Sequence, residues 1–224
     1  IAVFFLLVLA ATKPLGAYMA AVFDGRRTWS HGPLRPVEQL IYRACGIHED
    51  EEQYWTGYAL SLLAFNAACF AFVYAFQRLQ ALLPLNPQRL GAVPPDLSFN
   101  TAVSFLSNTN WQAYTPETTV SYLPQMAALA VQNFASAAAG IAVAIAVIRG
   151  LAREARGTIG NFWVDMVRAT VYVLLPLSVA GALLLASQGV IQNFEPYVRA
   201  TTVEGAAQVL PQGPVASQEA IKML

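Results

Sequence analysis

The sequence predicts an all-α polytopic membrane protein in which spans alternate with short helices that leave and re-enter on one side. Three observations predict it. Hydrophobic residues make up 56% of the 224 residues and charged residues only 12%, at a mean hydropathy of +0.47, whereas a soluble domain is usually about one quarter charged. Uncharged apolar runs of membrane length recur at residues 56–76, 120–148 and 169–187. Between the first two lies an apolar run fenced by prolines and too short to cross a bilayer. The 13 basic and 13 acidic residues cancel, so charge gives no reason to expect a nucleic-acid partner.

The first apolar run, residues 1–11, is shorter than the roughly 20 residues a helix needs to cross about 30 Å of hydrocarbon. It reads as a truncated span, because the chain opens on Ile1 without a polar lead and stops at Leu224 in mid-pattern. A signal peptide would carry its basic residue ahead of the run, and here Lys13 follows it. Basic residues set the orientation. Lys13, Arg26, Arg27, Arg35 and Arg43 fall before the second span, and Arg149, Arg153, Arg156 and Arg168 between the third and fourth. Both segments are expected to be cytoplasmic, leaving Arg78, Arg89, Arg199 and Lys222 outside and the N-terminus outside.

In the first cytoplasmic segment, Val37, Leu40, Ile41 and Ala44 follow Pro36 at helical spacing, and Gly46 offers a left-handed stop. This predicts a short helix at the inner membrane surface, with Arg35 and Arg43 near headgroups; docking on another protein domain is an equal alternative. Outside, the prolines at 84, 87, 94 and 95 keep the chain non-helical. Asp96 is then the expected N-cap of a helix over 96–106 carrying Leu97, Phe99, Ala102, Val103, Phe105 and Leu106. It starts and must end on the outer side, so it is re-entrant, which a bilayer tolerates only where protein or water satisfies its backbone. The uncharged run Ser107, Asn108, Thr109, Asn110, Trp111, Gln112 follows it. A polar run without charge at this place fits a cation filter made of backbone carbonyls; an ordinary external loop is the alternative. After the fourth span, residues 213–224 start another short helix, and two such units would make an internal repeat.

Other polar residues have plainer readings. Asn66, Gln125, Gln132, Asn133 and Ser136 are expected to bond between helices, and the small residues of 135–140 to permit close packing. Pro176 is expected to kink the fourth span. The run His48 to Glu52 reads as a solvated helix start rather than a metal cluster. Cys45 and Cys69 fall in different environments and suggest no redox chemistry. Asp165 and Arg168 read as interfacial, either paired with each other or facing a partner.

The residues 84–88 (PLNPQ), 100–105 (NTAVSF), 108–112 (NTNWQ), 131–134 (VQNF), 160–165 (GNFWVD) and 213–224, in that order, resemble the potassium-binding A subunit of the bacterial Kdp potassium-transporting ATPase. The resemblance covers essentially the whole chain and implies an N-terminal part of a subunit more than twice as long. It implies a potassium-channel-like fold of four span, pore helix, span repeats, in the bacterial inner membrane, beside a P-type ATPase catalytic subunit and small accessory subunits. On that basis residues 1–54 hold an extra span and the cytoplasmic segment, 55–148 the first repeat, and 149–224 the connection and an incomplete second repeat. Ser107 stands where Thr is expected, and Pro116 where Gly is commoner.

The resemblance also implies the site. A dehydrated potassium ion, the only cofactor expected, is held by several oxygens, and one strand cannot encircle it. Asn108, Thr109 and Asn110 would supply one quarter of a ring through their carbonyls, with the Thr109 hydroxyl as a further donor and Ser107 adjoining. Asp96 starts the helix whose negative C-terminal end faces the ion, Trp111 braces the strand, and Gln112 lies near the outer mouth. The chain carries no phosphate-binding glycine loop, so ATP hydrolysis is assigned to a partner. A proton-coupled transporter or intramembrane enzyme would need ionisable groups within its spans. A stand-alone potassium channel or cation symporter of similar repeats is the remaining alternative.

Overall fold

The computed structural model describes residues 1–153 and 157–223; Arg156 of the basic connection and Leu224 lie outside the described residues. Helices dominate: α1 (Ala2–Phe23), α2 (His31–Cys45), α3 (Trp55–Leu79), α4 (Pro95–Leu106), α5 (Pro116–Thr119), α6 (Val131–Ala152), α7 (Phe162–Arg168), α8 (Leu175–Ser187) and α9 (Val215–Lys222). Among the described residues, four continuous helical stretches are long and apolar enough to cross a membrane: Ala2–Phe23, Trp55–Leu82, Pro124–Ala152 and Phe162–Ser187.

The first stretch runs well past residue 11, where the apolar run was expected to end. Lys13 and Pro14 do not end α1, which has 22 residues. Pro14 costs one backbone bond, a loss membrane helices tolerate, and the apolar pattern resumes at Leu15. Wide π-type turns precede α6 at Pro124–Ala130 and join α7 to α8 at Ala169–Leu174. The second ends two residues before Pro176, where the ring removes a donor and crowds the carbonyl four residues back. That carbonyl, of Tyr172, instead accepts the Tyr18 hydroxyl at 2.8 Å.

The chain divides into two compact units, Ile1–Ala59 with Gly140–Pro176 and Leu60–Ala139 with Leu177–Leu224. In the first, Val22, Val171 and Tyr172 form a small core against which Tyr18, Leu34, Ile41 and Val167 pack. Two buried carboxylates do the remaining work. Asp165, 1% exposed, takes both guanidinium nitrogens of Arg149 at 2.6 and 3.0 Å, and the Tyr58 hydroxyl lies 3.1 Å away. Arg149 also donates to the Phe23 carbonyl at 3.0 Å, satisfying the C-terminal end of α1. Glu38, also 1% exposed, accepts from Tyr42 and Tyr172 at 2.7 Å each, Arg35 at 2.8 Å and Arg168 at 3.2 Å.

Two expectations are corrected here. Asp165 and Arg168 do not pair with each other, because they sit on α7 facing different elements; their partners are Arg149 and Glu38. Arg35 does not reach outward from α2: it bonds Glu38 and, at 2.5 and 2.9 Å, Glu49. Gly46 does stop α2 in the left-handed region, at φ 63°.

In the second unit, Val73, Val93, Ala102, Phe105, Val120, Ala128 and Leu129 form the core, with Phe70, Phe76 and Tyr114 packed against it. The stretch after α8 contains an antiparallel hairpin that the sequence did not lead one to expect: β1 (Val198–Thr201) pairs with β2 (Ala207–Leu210), from Val198 opposite Leu210 to Thr201 opposite Ala207. Both strands are largely exposed, so neither shows the in-out alternation that marks a strand in sequence. It is a small addition to a helical fold.

Glu38 generates a pH prediction. Burial pushes its carboxyl up, but the hydrogen bonds from Arg35, Tyr42, Tyr172 and Arg168 outweigh this and hold it below the usual carboxylate range. A free α2 would titrate near about 4.3. The attached helix therefore binds fewer protons, and the attachment is fully present above that value and lost as pH falls through the lowered one. Hydrogen exchange of residues 34–45 in the intact membrane assembly should stay protected from pH 7 to about 5 and rise below about 4. Glu38→Ala should raise it at pH 7 as well, because breaking a buried pair costs roughly 3–5 kcal/mol.

Candidate functional site

α4 starts on Pro94 and Pro95, the second at the first helical position, where its missing N–H is no loss. This corrects the expected cap. Pro94 occupies the N-cap, and Asp96 lies in the first turn without a side-chain cap bond, where its charge still opposes the helix dipole favourably. The buried residues of α4 are Ser98, Thr101, Ala102, Ser104 and Phe105, while Phe99 and Val103 are 57% and 39% exposed. The buried hydroxyls are satisfied locally: Thr101 bonds the Leu97 carbonyl at 2.8 Å and Ser98 the Val93 carbonyl at 3.2 Å.

A frame of amides fixes α4 to α3. Gln77, fully buried, donates to the Val73 and Ser98 carbonyls at 3.1 and 3.4 Å. Gln80, also fully buried, donates to the carbonyls of Gly91 and, at 2.8 Å, Thr119, and accepts from the Ser121 amide at 3.0 Å. One side chain thereby ties together three segments around the polar run.

The run itself folds back on the end of α4. The Ser104 carbonyl accepts the amides of Thr109 and Asn110 at 3.1 and 3.4 Å and the Thr109 hydroxyl at 3.0 Å. The Ser107 hydroxyl lies 3.1 Å from the same oxygen. A trans peptide is planar, with its C=O opposite the next N–H. Two successive amides aimed at one oxygen therefore turn the carbonyls of Asn108 and Thr109 away from the helix end and toward a common side. Asn108 and Asn110, both at φ 54°, make this possible, since alternating left-handed residues let consecutive peptides face the same way. Asparagine tolerates that region better than most residues.

The remaining predicted residues are placed as follows. The Thr109 hydroxyl is engaged with the Ser104 carbonyl rather than directed away from it. The Trp111 carbonyl accepts from the buried Ser104 hydroxyl at 2.8 Å, while the residue as a whole is 46% exposed. Gln112 donates to the Tyr114 hydroxyl at 3.1 Å, and burial pushes that phenol up, keeping it protonated. The Asn108 side-chain oxygen lies 2.9 Å from the Ser136 hydroxyl of α6. Beside the run, a cavity of about 340 Å³ is lined by Phe105, Gln112, Gln125 and Asn133 among others. The side-chain oxygens of Asn110 and Asn133 are buried and make no hydrogen bond among the described residues. The arrangement can present carbonyl dipoles to a cation without any fixed negative charge in the run.

Sequence reasoning missed Ser104 and Gln80. Ser98, Thr101 and Ser104 recur every three residues, a polar stripe on an otherwise apolar helix, and that stripe marked the face turned to the run. Gln80 left no such signal.

A model of the family described as potassium-transporting ATPase A subunit matches residues 2–224. The chain belongs to the potassium-transporting ATPase A subunit family. It is 62% identical over 218 residues, 97% of this chain, to the potassium-transporting ATPase potassium-binding subunit of Solibacter usitatus, and equally so to that of Rhodospirillum centenum. Identity to the corresponding subunit of Granulibacter bethesdensis is 60% over 224 residues, 100% of the chain. The match covers 38% of the first two relatives and 39% of the third, so the chain spans about two fifths of the length of these A subunits.

Ser104 can be tested directly. Ser104→Ala removes the donor to the Trp111 carbonyl, and an unmet buried acceptor costs roughly 1–3 kcal/mol. Amide exchange at Thr109 and Asn110 in the full-length A subunit should quicken by about five- to hundredfold; exchange unchanged from the native subunit would count against this role.

Proposed function

We propose that the chain contributes the first filter segment of a potassium-binding and translocating subunit in an ATP-driven potassium uptake assembly. Asn108, Thr109 and Asn110 offer backbone carbonyls to a dehydrated potassium ion taken from outside, Ser107 adjoins them, and Gln112 lies toward the outer mouth. The observation that carries this reading is the convergence of the Thr109 and Asn110 amides on the Ser104 carbonyl, which leaves neighbouring carbonyls facing one way. α4 points its C-terminal, partly negative end at the same place. The segment is one part of a ring, and further segments complete it.

In this reading residues 55–148 form one span, pore helix, span repeat and 149–224 begin another, with 1–54 as an extra span and cytoplasmic segment. The chain is non-catalytic: it receives the ion, and a P-type catalytic subunit hydrolyses ATP, with small accessory subunits completing the assembly. The curated relatives are named as subunits of an ATPase, which favours this over a stand-alone potassium channel or cation symporter. The distribution of basic residues supports an N-terminus outside, and the relatives of Solibacter usitatus and Granulibacter bethesdensis support a bacterial inner-membrane location.

Gln112→Arg tests the placement. A fixed cation beside the outer mouth repels the ion, so the apparent potassium affinity of transport-linked ATP hydrolysis in the complete assembly should fall about tenfold. Unchanged potassium dependence would remove Gln112 from the ion's path.

A further inference from the structure

The inner core of the first unit accounts for one face of α2. Glu38 and Tyr42 are buried, and Leu34 and Ile41 pack on Val22 and Tyr172. At 3.6 residues per turn, Arg35 and Gln39 lie along one edge of that face, and Arg35 bonds Glu49 there. Pro33, Val37, Leu40 and Ala44, spaced by four, three and four residues, lie along the other edge. All four are exposed, Val37 at 43% and Leu40 at 67%. The acidic run thus borders one edge of α2, and the opposite edge is apolar.

Three observations fix the level of that apolar edge. α2 packs on Val22, one residue before the end of α1. Tyr18 of α1 hydrogen-bonds Ser30 at 2.7 Å, immediately before α2. Trp29 stacks on Tyr18 with ring centroids 5.9 Å apart, yet is 81% exposed. An exposed Trp beside the closing two turns of a span is the arrangement of an interfacial aromatic belt. The only carboxylate on α2 is turned inward, so Arg43, exposed and without an ion pair among the described residues, is the outward charge next to Leu40.

We propose that the edge of α2 formed by Pro33, Val37, Leu40 and Ala44, with Trp29, is a contact surface for the cytoplasmic leaflet, its apolar side chains entering the acyl boundary and Arg43 holding an anionic headgroup. This rests on the reading that α1 crosses the bilayer. The occupant is lipid rather than a protein domain because an apolar edge, a stacked interfacial Trp and an unpaired cation coincide at the end of a span. α2 then fixes how deep the inner end of α1 sits, and through Glu38 and Tyr172 it passes that level to the fourth span.

The test uses the complete assembly in vesicles of phosphatidylcholine and phosphatidylglycerol, with Cys45 and Cys69 replaced by serine. Single cysteines at Val37, Leu40 or Gln39 carry an environment-sensitive fluorophore. Labels at Val37 and Leu40 should be quenched by acyl-brominated lipid and spared by aqueous iodide, and the Gln39 label should show the reverse order. In the Leu40 background, Arg43→Gln should lower the preference for brominated phosphatidylglycerol over brominated phosphatidylcholine by about fivefold. Iodide quenching at Leu40 equal to that at Gln39 would overturn the proposal, as would protection of Leu40 from both quenchers, which would mean a protein covers the edge. Labelling of a single cysteine at Ala2 by an impermeant maleimide from the face opposite to the one that labels the Gln39 cysteine checks separately that α1 crosses; labelling of both from one face would remove the spanning reading.

Discussion

A helix whose end is buried in protein leaves carbonyls with no intrahelical partner and no bulk water to meet them. The two ends that organise this chain meet that demand in opposite ways. At the end of α1, Arg149 reaches the Phe23 carbonyl while holding Asp165, so the demand is met by importing charge and then burying its counter-ion. At the end of α4, the following residues return their own amides and hydroxyls to the Ser104 carbonyl, and the demand is met without charge. The first solution builds a charged brace between helices. The second leaves a turn whose outward carbonyls are free to do something else.

The buried carboxylates belong to the bracing role. Removing two ions from water is costly, and a buried pair is weak grounds for stability by itself. Glu38 and Asp165 earn their place through connectivity: one links α2 to the fourth span through Arg168 and Tyr172, the other links α7 to α6 through Arg149. Each also has tyrosine hydroxyls nearby, so little of either carboxylate is left unsatisfied.

Much of the fold was legible because lipid imposes a coarse code. Uncharged runs marked the second, third and fourth spans, prolines framed α4, and Gly46 marked the end of α2. The first span was misjudged at Lys13 and Pro14, since water-based rules treat those residues as stops and a membrane helix does not. The pairings of Asp165, Arg168 and Arg35 were illegible because they depend on which helix faces which, and periodicity carries no such information. At the candidate site, the polar run was visible as composition. The direction of its carbonyls was not, since that follows from two backbone angles and from a serine whose hydroxyl looked like an ordinary helix residue.

The left-handed backbone at Asn108 and Asn110 has a consequence for how such a site can vary. Glycine and aspartate hold that conformation at little cost, and branched side chains resist it. Mutational drift at these two positions is therefore confined to a few neighbours in sequence space, even if the amide groups never touch an ion. In the filter proposed above, what the chain would have to keep is a pair of backbone torsions, and the side chains at 108 and 110 matter first for the torsions they permit.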